Sequence, residues 1–370
     1  MQSVYPYSSL QQFSASVFQQ IGCSAEEATR AAEVLSSADL RGVDSHGIAR
    51  LAGYVRLWEK QRINARPTIR VVHETPSTAV IDGDAGLGLV VAPYAMQVAI
   101  SKAQSAGTGW VSVRNSNHFG IAGYHAMQAL PHDMIGIALT NASPLVAPTF
   151  SVDRMLGTNP IAVAIPAGDQ PPLVVDMATT TVANGKLEIL QRKKQPAPAG
   201  WIQDRTGCAS TDPTEVSQGG ALLPLGGDPE RGSHKGYCLG AVVDIFSAIF
   251  SGANYGPWVP PFVSFLDPPA DQVGQGIGHF LGAMRIDAFR TTDEFKRHMD
   301  RWITAFRQAQ TVEGHERVLI PGDPERATEA QRRKEGVPLL TPVVEDLIEL
   351  GKKLKVNADF LQEDSITNTN

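Results

Sequence analysis

Apolar residues recur with a helical period near both ends of this 370-residue chain. Residues from about Ser8 to Leu40 are predicted to be helical, and Ser24 followed by Glu27 forms a capping box for a helix start. Amphipathic helices are predicted again from Asp293 to Gln310 and from Thr341 to Lys353. The pattern therefore predicts that helices lie at both ends of the chain.

Between these ends the pattern changes to short runs rich in β-branched residues, which are typical of strands. Helical periodicity returns within this centre at about Val90 to Ala106, Val182 to Lys194 and Tyr237 to Ser251. Strands and helices that follow one another in this way predict an α/β fold. The predicted strands are Thr68–His73, Thr78–Asp82, Trp110–Val113, Met134–Leu139, Ile161–Ile165, Leu173–Val175 and Ile277–Ile286.

Charge and cysteine content exclude several classes of partner. A net charge of −6 gives no support to a nucleic-acid partner or to an anionic membrane surface. The most apolar run, Tyr237 to Phe250, is too short to cross a bilayer and contains Asp244, so no membrane partner is expected. The three cysteines, Cys23, Cys208 and Cys238, are scattered, as is typical of reduced thiols. Because the N-terminal residues also lack the pattern of a signal peptide, a cytoplasmic location is expected.

The segment from Arg41 to Trp58 carries the first candidate site. Asp44 or Ser45 is predicted to cap a helix by accepting a backbone N–H bond. An arginine on such a helix can hold a carboxylate with two hydrogen bonds while a neighbouring histidine moves a proton. The alternative is a solvated polar face beside a core stripe. The side chains that would share one face, at i, i+4 and i+8, are His46, Arg50 and Tyr54.

The glycine-rich segment Gly83 to Gly88, GDAGLG, does not match the dinucleotide fingerprint G-x-G-x-x-G. If the chain binds a nicotinamide cofactor, it does so without an ordinary Rossmann turn. The segment is interpreted instead as a tight connection between a strand and a helix.

A second histidine lies in Asn117–Gly120, NHFG, between a predicted strand and a predicted helix. At this position His118 is well placed for general acid–base work at neutral pH. The neighbouring glycines would let a ligand approach the backbone closely. The alternative is a loop histidine whose ring is satisfied by the backbone. His125, in the following helix, is interpreted as structural.

Two polar clusters also lie at strand ends, at Leu156–Pro160 and Asp176–Thr181. A hydroxyl-rich turn between a strand and a helix can donate hydrogen bonds to ribose or pyrophosphate oxygens, although helix capping would explain any one threonine. The other histidines show no ligand pattern, and no metal site is predicted.

Together these motifs resemble the malate/L-lactate dehydrogenase family of non-Rossmann, nicotinamide-dependent oxidoreductases. That family also contains sulfolactate, ureidoglycolate and diketogulonate enzymes and reductases of cyclic imines. The matches run in the family's order from about residue 8 to residue 355, so they cover nearly the whole chain. The matching segments are RGVDSHGIARLAGY, SNHFGIAGYHA, LGTNPIAVAIP, VVDMATTTVANGK, GW followed by TDP, LLPLGG, and HKGYCLGAVVDIFSAIFSG.

The resemblance implies a fold with two parts. Residues 73–289 would form an α/β nicotinamide-cofactor domain with a mixed, non-Rossmann sheet. Residues 1–72 together with 290–370 would form a helical lobe on the dimer and substrate side. The family resemblance also implies a homodimer whose active site lies near the subunit interface.

The resemblance also implies roles for individual residues. His46 and His118 are the two candidates for the proton-transfer residue, and either assignment is open. The cofactor would be NAD or NADP, and the choice between them is also open. This chain departs from the family by an insertion around Asp228 to Ser233 and by a longer tail. The candidate substrate contacts are Ser45, Arg50, Tyr54, Asn141 and Thr158. The candidate cofactor contacts are Asn159, Asp176, Met177, Ala178, Thr179, Thr180, His234, Lys235, Gly236, Gly322, Asp323 and Pro324.

The favoured hypothesis is hydride transfer between NAD(P) and a small 2-hydroxy or 2-keto acid of the malate or L-lactate type. Arg50 would fix the substrate carboxylate and a histidine would carry the hydroxyl proton. One alternative is NADPH-dependent reduction of a cyclic imine carboxylate. Another, of a different class, is a catalytically inactive ligand-binding protein, although such a protein needs no proton carrier.

Overall fold

The structure is a computed structural model that describes residues 2–362. The tail after Asp364, for which the sequence predicts disorder, lies outside the described residues. The largest sheet has seven strands in the order β2-β3-β4-β11-β5-β6-β7, and of its neighbouring pairs only β3 and β4 run parallel. The predicted mixed α/β fold is therefore confirmed. The strands are β2 (Arg70–Glu74), β3 (Thr78–Asp82), β4 (Thr108–Ser116), β5 (Met134–Thr140), β6 (Ile161–Ile165), β7 (Leu173–Met177) and β11 (Ile277–Arg285).

Helix α4 (Gly88–Ala106) connects the parallel strands β3 and β4, and its apolar side packs on one face of the sheet together with α5 (Ala122–Met127). Residues 83–88 form the tight connection that the sequence predicts. Gly88 begins α4 against the backbone of Asn117 and His118, and a side chain at that position would clash with their carbonyl groups. The opposite face of the sheet is covered near β11 by α7 (Ser233–Asp244) and the π-helical turn Ile245–Ile249.

Both ends of the chain meet in a helical cluster, which consists of α1 (Tyr7–Gln20), α2 (Ala25–Leu40), α3 (Leu51–Glu59) and α10 (Thr341–Leu354). The predicted capping box at Ser24 and Glu27 begins α2. Two short strands that the sequence analysis missed, β1 (Gln2–Tyr5) and β12 (Val337–Leu340), pair antiparallel and join the two ends. The buried aromatic residues of this cluster include Phe13, Phe18 and Tyr54.

A smaller unit sits beside the main sheet. It contains α6 (Asn184–Lys193) and a three-stranded sheet of β8 (Ile202–Gln203), β9 (Ala209–Ser210) and β10 (Ala221–Leu222). Its apolar core is separate from that of the main sheet and includes Val182, Leu187 and Leu222.

Two further helices complete the described chain. Helix α8 (Thr292–Arg307) packs through Ile303 against the edge strand β7. Helix α9 (Asp323–Glu335), which begins directly after a turn at Pro321 and Gly322, is not among the helices that the sequence predicts. Proline is tolerated in the first turn of a helix, so Pro324 is compatible with this helix start. No helix within residues 2–362 is long and apolar enough to cross a membrane.

Candidate active site

The segment that carries Ser45, His46 and Arg50 is not the continuous helix that the sequence predicts. Two short 3-10 turns, Asp44–His46 and Ile48–Arg50, are joined at an extended Gly47, and the α-helix begins only at Leu51. Neither Asp44 nor Ser45 makes a capping bond. We call residues 44–50, which carry three of the candidate site residues, the catalytic loop.

The buried carboxyl of Asp39 explains this interruption. Its Oδ2 accepts the backbone N–H of Ile48 at 2.7 Å, and its Oδ1 lies against Gly47 so closely that a side chain there would clash. Burial raises the pKa of Asp39 to about 8, so the group can pack there largely uncharged at neutral pH. The fold of the catalytic loop thus depends on a residue from α2.

His46 and His118 come together although 72 positions separate them in the chain (118 − 46). Their rings stack with centroids 5.6 Å apart. The Oγ of Ser45 lies 2.9 Å from His46 Nδ1, and the hydroxyl of Tyr54 lies 2.7 Å from His118 Nδ1. Each histidine therefore has one ring nitrogen engaged by a neighbouring hydroxyl.

The surroundings of His118 determine its tautomer. Burial raises the pKa of Tyr54, so the phenol keeps its proton and donates it to His118 Nδ1, which also faces the N–H of Gly120 at 3.4 Å. With donors on Nδ1, a neutral His118 carries its proton on Nε2. Burial first, and then the neighbouring His46 ring and the Arg50 cation, hold the pKa of His118 well below its ordinary value.

His46 is also neutral at physiological pH. Burial and the Arg50 cation lower the pKa of His46 to about 4. Two neutral imidazoles in one site are able to play different roles, one as a hydrogen-bond donor and one as a proton acceptor.

Arg50 follows His46 on the catalytic loop and faces the small unit. Its Nε donates to the carbonyl of Ser45 at 2.6 Å, and an NH group forms an ion pair with Glu188 of α6 at 2.9 Å. Asn184 donates to the same carboxylate at 3.0 Å. A substrate carboxylate would therefore either share Arg50 with Glu188 or displace Glu188 from it.

A cleft of about 980 Å³ runs from the catalytic loop along the ends of β6 and β7. This volume lies at the upper end of the range for ligand pockets and is far larger than a three- or four-carbon acid needs. Predicted site residues that line it are Ser45, His46, Thr158, Asp176, Met177, Ala178, Thr180, Gly322 and Pro324.

The chemistry of the cleft lining fits a dinucleotide cofactor. Thr180, Thr181, Arg41 and Lys186 are among the residues that line it, and hydroxyl and cationic side chains suit ribose and diphosphate oxygens. Asp176 opens onto the cleft but is enclosed on its other sides, which raises the pKa of its carboxyl to about 6, while the N–H of Gly123 donates to it at 2.8 Å.

Several predicted residues lie away from the cleft and bond within the protein. Asn141 is buried, and it donates to Asp244 at 3.1 Å and to the carbonyl of Asn254 at 2.8 Å. Asn159 donates to the carbonyl of Gly240, and Thr179 bonds the carbonyl of Thr158. The carboxyl of Asp323 holds the start of α9. His234 and Lys235 are exposed at the start of α7, and Gly236 packs on the backbone of Leu225.

Other cleft residues escaped the sequence analysis. Arg41 and Lys186 line the cleft although neither was named as a candidate. Both stand inside motifs that carry the family resemblance, RGVDSHG and ANGK, and this was the available signal. Within residues 2–362 no group of His, Cys, Asp and Glu side chains is arranged to hold a metal ion.

Comparison with known proteins identifies the family to which this chain belongs. The family model for malate/L-lactate dehydrogenase matches residues 5–348. The chain belongs to the malate/L-lactate dehydrogenase family. A malate dehydrogenase of Pyrococcus horikoshii is 43% identical over 95% of both chains, and an L-sulfolactate dehydrogenase of Methanocaldococcus jannaschii is 38% identical over 93% of this chain and 95% of its own length. The crystal structure of a malate dehydrogenase from Entamoeba histolytica, 34% identical, superposes with a TM-score of 0.90 over 96% of this chain and 99% of that one.

As a member of the malate/L-lactate dehydrogenase family, the chain is a dehydrogenase of hydroxy acids. The family assignment made from the sequence motifs is confirmed. The relatives do not favour the two alternative hypotheses, a reductase of cyclic imines and an inactive binding protein.

Proposed function

We propose that this enzyme transfers a hydride between NAD or NADP and a small 2-hydroxy acid of the malate or L-lactate type. The observation that carries the proposal is the stacked pair of neutral histidines, one member of which lines a cleft of dinucleotide size. The nicotinamide would accept or deliver the hydride. The remaining chemistry, namely holding the carboxylate and moving one proton, falls to residues of the chain.

The hydrogen bonds of the two histidines support separate roles for them. His118, with its proton on Nε2, would donate a hydrogen bond to the oxygen that is oxidised or reduced. His46, with Nδ1–H donating to Ser45, would present a lone pair on Nε2 and take the hydroxyl proton of the alcohol. Arg50 would hold the carboxylate. Tyr54 would act through His118 by fixing its tautomer.

The diphosphate and ribose of the cofactor would be held along the cleft by Asp176–Thr180, Gly322 and Pro324, with Arg41 and Lys186 supplying positive charge. Thr158 would stand where substrate and cofactor meet. The other candidates from the sequence would support these segments from behind, since their polar groups bond within the protein: Asn141, Asn159, Thr179 and Asp323.

Oxidation of NADH and of NADPH at 340 nm, with oxaloacetate, pyruvate and a cyclic imine carboxylate as acceptors, tests the proposal. We expect turnover with a keto acid and a preference for one of the two cofactors. Turnover of the imine alone, or of none of these acceptors, would refute the proposed reaction.

The pKa of His46 predicts how activity changes with pH. A base whose pKa is about 4 is already deprotonated at neutral pH, so kcat/KM for alcohol oxidation should stay level from pH 8 to roughly pH 5 and fall only as His46 becomes protonated. Reduction of the keto acid needs the protonated form of His46. Its kcat/KM should therefore rise as the pH falls from 8 to roughly 5. Initial rates in both directions at constant ionic strength measure this. A fall in oxidation centred near pH 6.5 would contradict the lowered pKa of the proposed base.

We also propose that the enzyme is a homodimer. Large apolar side chains are exposed along α7 and the following turn, where Val242 is 47% exposed, Ile249 52% and Phe250 58%. A contiguous apolar surface of this kind is typical of a subunit interface. In the proposed arrangement, residues 73–289 form the cofactor domain and residues 1–72 with 290–370 form the helical lobe. The free thiols Cys23, Cys208 and Cys238 support a reducing, cytoplasmic location.

Replacing Ile249 with Glu should abolish the dimer, because it places a charge in the centre of the proposed apolar interface. Sedimentation velocity should give the mass of a dimer for the wild type and of a monomer for Ile249→Glu. Val312→Glu, a change at an exposed apolar residue far along the chain from α7, is the control and should leave the mass unchanged. A monomeric wild type would contradict the proposal.

A further inference from the structure

A second pocket, of about 540 Å³, lies between α3, α6 and the loop around Phe262. Arg50 lines this pocket, whereas Ser45 and His46, on the same catalytic loop, line the large cleft. The two cavities therefore flank one loop. We call the second one the arginine pocket, because its lining includes Arg50, Arg56 and Arg192.

The acidic residues of the arginine pocket leave one cation without a carboxylate. Glu188 forms an ion pair with Arg50 at 2.9 Å, and Asp346 pairs with Arg192 at 3.7 Å. Arg56 forms no close ion pair within residues 2–362, although the charge of Glu188 acts on it at longer range, and its guanidinium donates to the carbonyl of Phe262. A partly buried, unpaired guanidinium in a pocket is a favourable place for an anionic group.

One wall of the arginine pocket packs against the reacting groups, although neither His46 nor His118 lines the pocket. The ring of Phe262, which forms part of its wall, lies 4.6 Å from the ring of His118 and 5.1 Å from that of Tyr54. Gly53, between the two arginines in sequence, leaves room for this ring, since a Cβ there would lie 2.6 Å from Phe262 Cζ. A small acid held by Arg50 would thus have His118 on one side and Arg56 within the same pocket.

From this arrangement we propose that Arg56 binds the second anionic group of a dianionic 2-hydroxy acid and so determines specificity. The inference rests on the proposed function, and it extends it by naming the substrate class. A 2-hydroxy acid with a carboxylate or sulfonate at its far end would place one charge on Arg50 and the other on Arg56. An acid with a methyl group at that end would desolvate Arg56 without supplying an anion for its charge, which is unfavourable.

The chemistry of the relatives agrees with this assignment. The relatives include a malate dehydrogenase and an L-sulfolactate dehydrogenase, and both of those substrates carry a second anion. Arg192 is a weaker candidate for this contact, because it already has Asp346 as a partner.

The test compares Arg56→Gln and Arg56→Lys with the wild type on oxaloacetate and on pyruvate, which lacks the second carboxylate. A lost hydrogen bond to a charged group corresponds to about a tenfold to hundredfold change. We expect the ratio of kcat/KM for oxaloacetate to that for pyruvate to fall by this factor in Arg56→Gln. Arg56→Lys should recover part of the loss, since it retains the charge.

Arg62 offers a matched control. Its guanidinium is also partly buried and donates to a carbonyl of the same loop, that of Pro261 at 2.8 Å, but it does not line the arginine pocket. Arg62→Gln should leave the substrate ratio unchanged. Equal losses on both substrates in Arg56→Gln, or the same change of ratio in Arg62→Gln, would overturn the inference.

Failure of the proposed function would be recognised separately. If the wild type reduced neither keto acid, the proposed reaction would be refuted. Titration calorimetry with L-malate and L-lactate would still test the role of Arg56, because binding does not require turnover. Tighter binding of L-malate that is lost in Arg56→Gln would support the inference. Equal binding of the two acids by the wild type would overturn it.

Discussion

Replacing either His46 or His118 with Ala should lower kcat by about a hundredfold to ten-thousandfold, the usual contribution of a general acid or base. His46→Ala removes the proposed proton carrier. His118→Ala removes the proposed donor to the reacting oxygen and leaves the phenol of Tyr54 without its acceptor. Steady-state kinetics on the keto acid that proves active, with thermal melting of each variant, measure the effect.

The buried His125 provides the control for this experiment. Its Nε2 lies 2.8 Å from the carbonyl of Phe119, next to His118 in sequence, and it lines neither the cleft nor the arginine pocket. His125→Ala should lower the melting temperature because it leaves a cavity, yet keep kcat within a few-fold. Near wild-type turnover in both His46→Ala and His118→Ala would show that the proton is carried elsewhere.

Replacing Gly47 with Ala should reduce kcat/KM by on the order of a hundredfold, the effect of displacing catalytic groups by about 1 Å. The added methyl group would clash with the carboxyl of Asp39, so the catalytic loop must move and carry His46 and Arg50 with it. The loss should appear in kcat and in KM together, because both the proton carrier and the carboxylate clamp are displaced. Initial-rate kinetics on the folded variant measure it.

A double-mutant cycle distinguishes this mechanism from a general loss of stability. Asp39→Ala removes the carboxyl with which the new methyl group would clash. Gly47→Ala should therefore reduce kcat/KM much less in the Asp39→Ala background than in the wild type. Additive losses would show that Gly47 and Asp39 do not act through their contact. The position of the catalytic loop would then have another cause.

Features that depend on interactions between neighbours in the chain could be predicted from the sequence, whereas features that depend on distant residues could not. The capping box at Ser24, strands such as β6, and the connection at residues 83–88 depend on neighbours in the chain, and they were predicted correctly. The helix predicted from Asp44 failed because a side chain of the preceding helix, Asp39, takes the N–H of Ile48. No periodicity in residues 44–58 contains that information.

In the candidate active site, too, local features could be predicted from the sequence and long-range contacts could not. The types of residue needed, a histidine with an arginine on one segment and a histidine at a strand end, were visible in the motifs. Their partners were not, because Glu188 lies on another helix and Tyr54 is 64 positions from His118. Arg56 was not named as a candidate either, although it stands within the same segment as Arg50. Only the pocket distinguishes it from an ordinary surface cation.

The joining of β1 to β12 has a consequence for how the enzyme matures on the ribosome. The catalytic loop is synthesised early, but it is held by Arg332, which bonds both the carbonyl of Asp39 and the carboxylate of Asp44. Tyr5 and Val337 pair across nearly the whole chain. Contacts between such distant residues form slowly, because a long loop must close first. The catalytic loop therefore receives its last contacts only after α9 has been made, and until then the faces of α1 and α2 that α10 and α9 cover are open to aggregation.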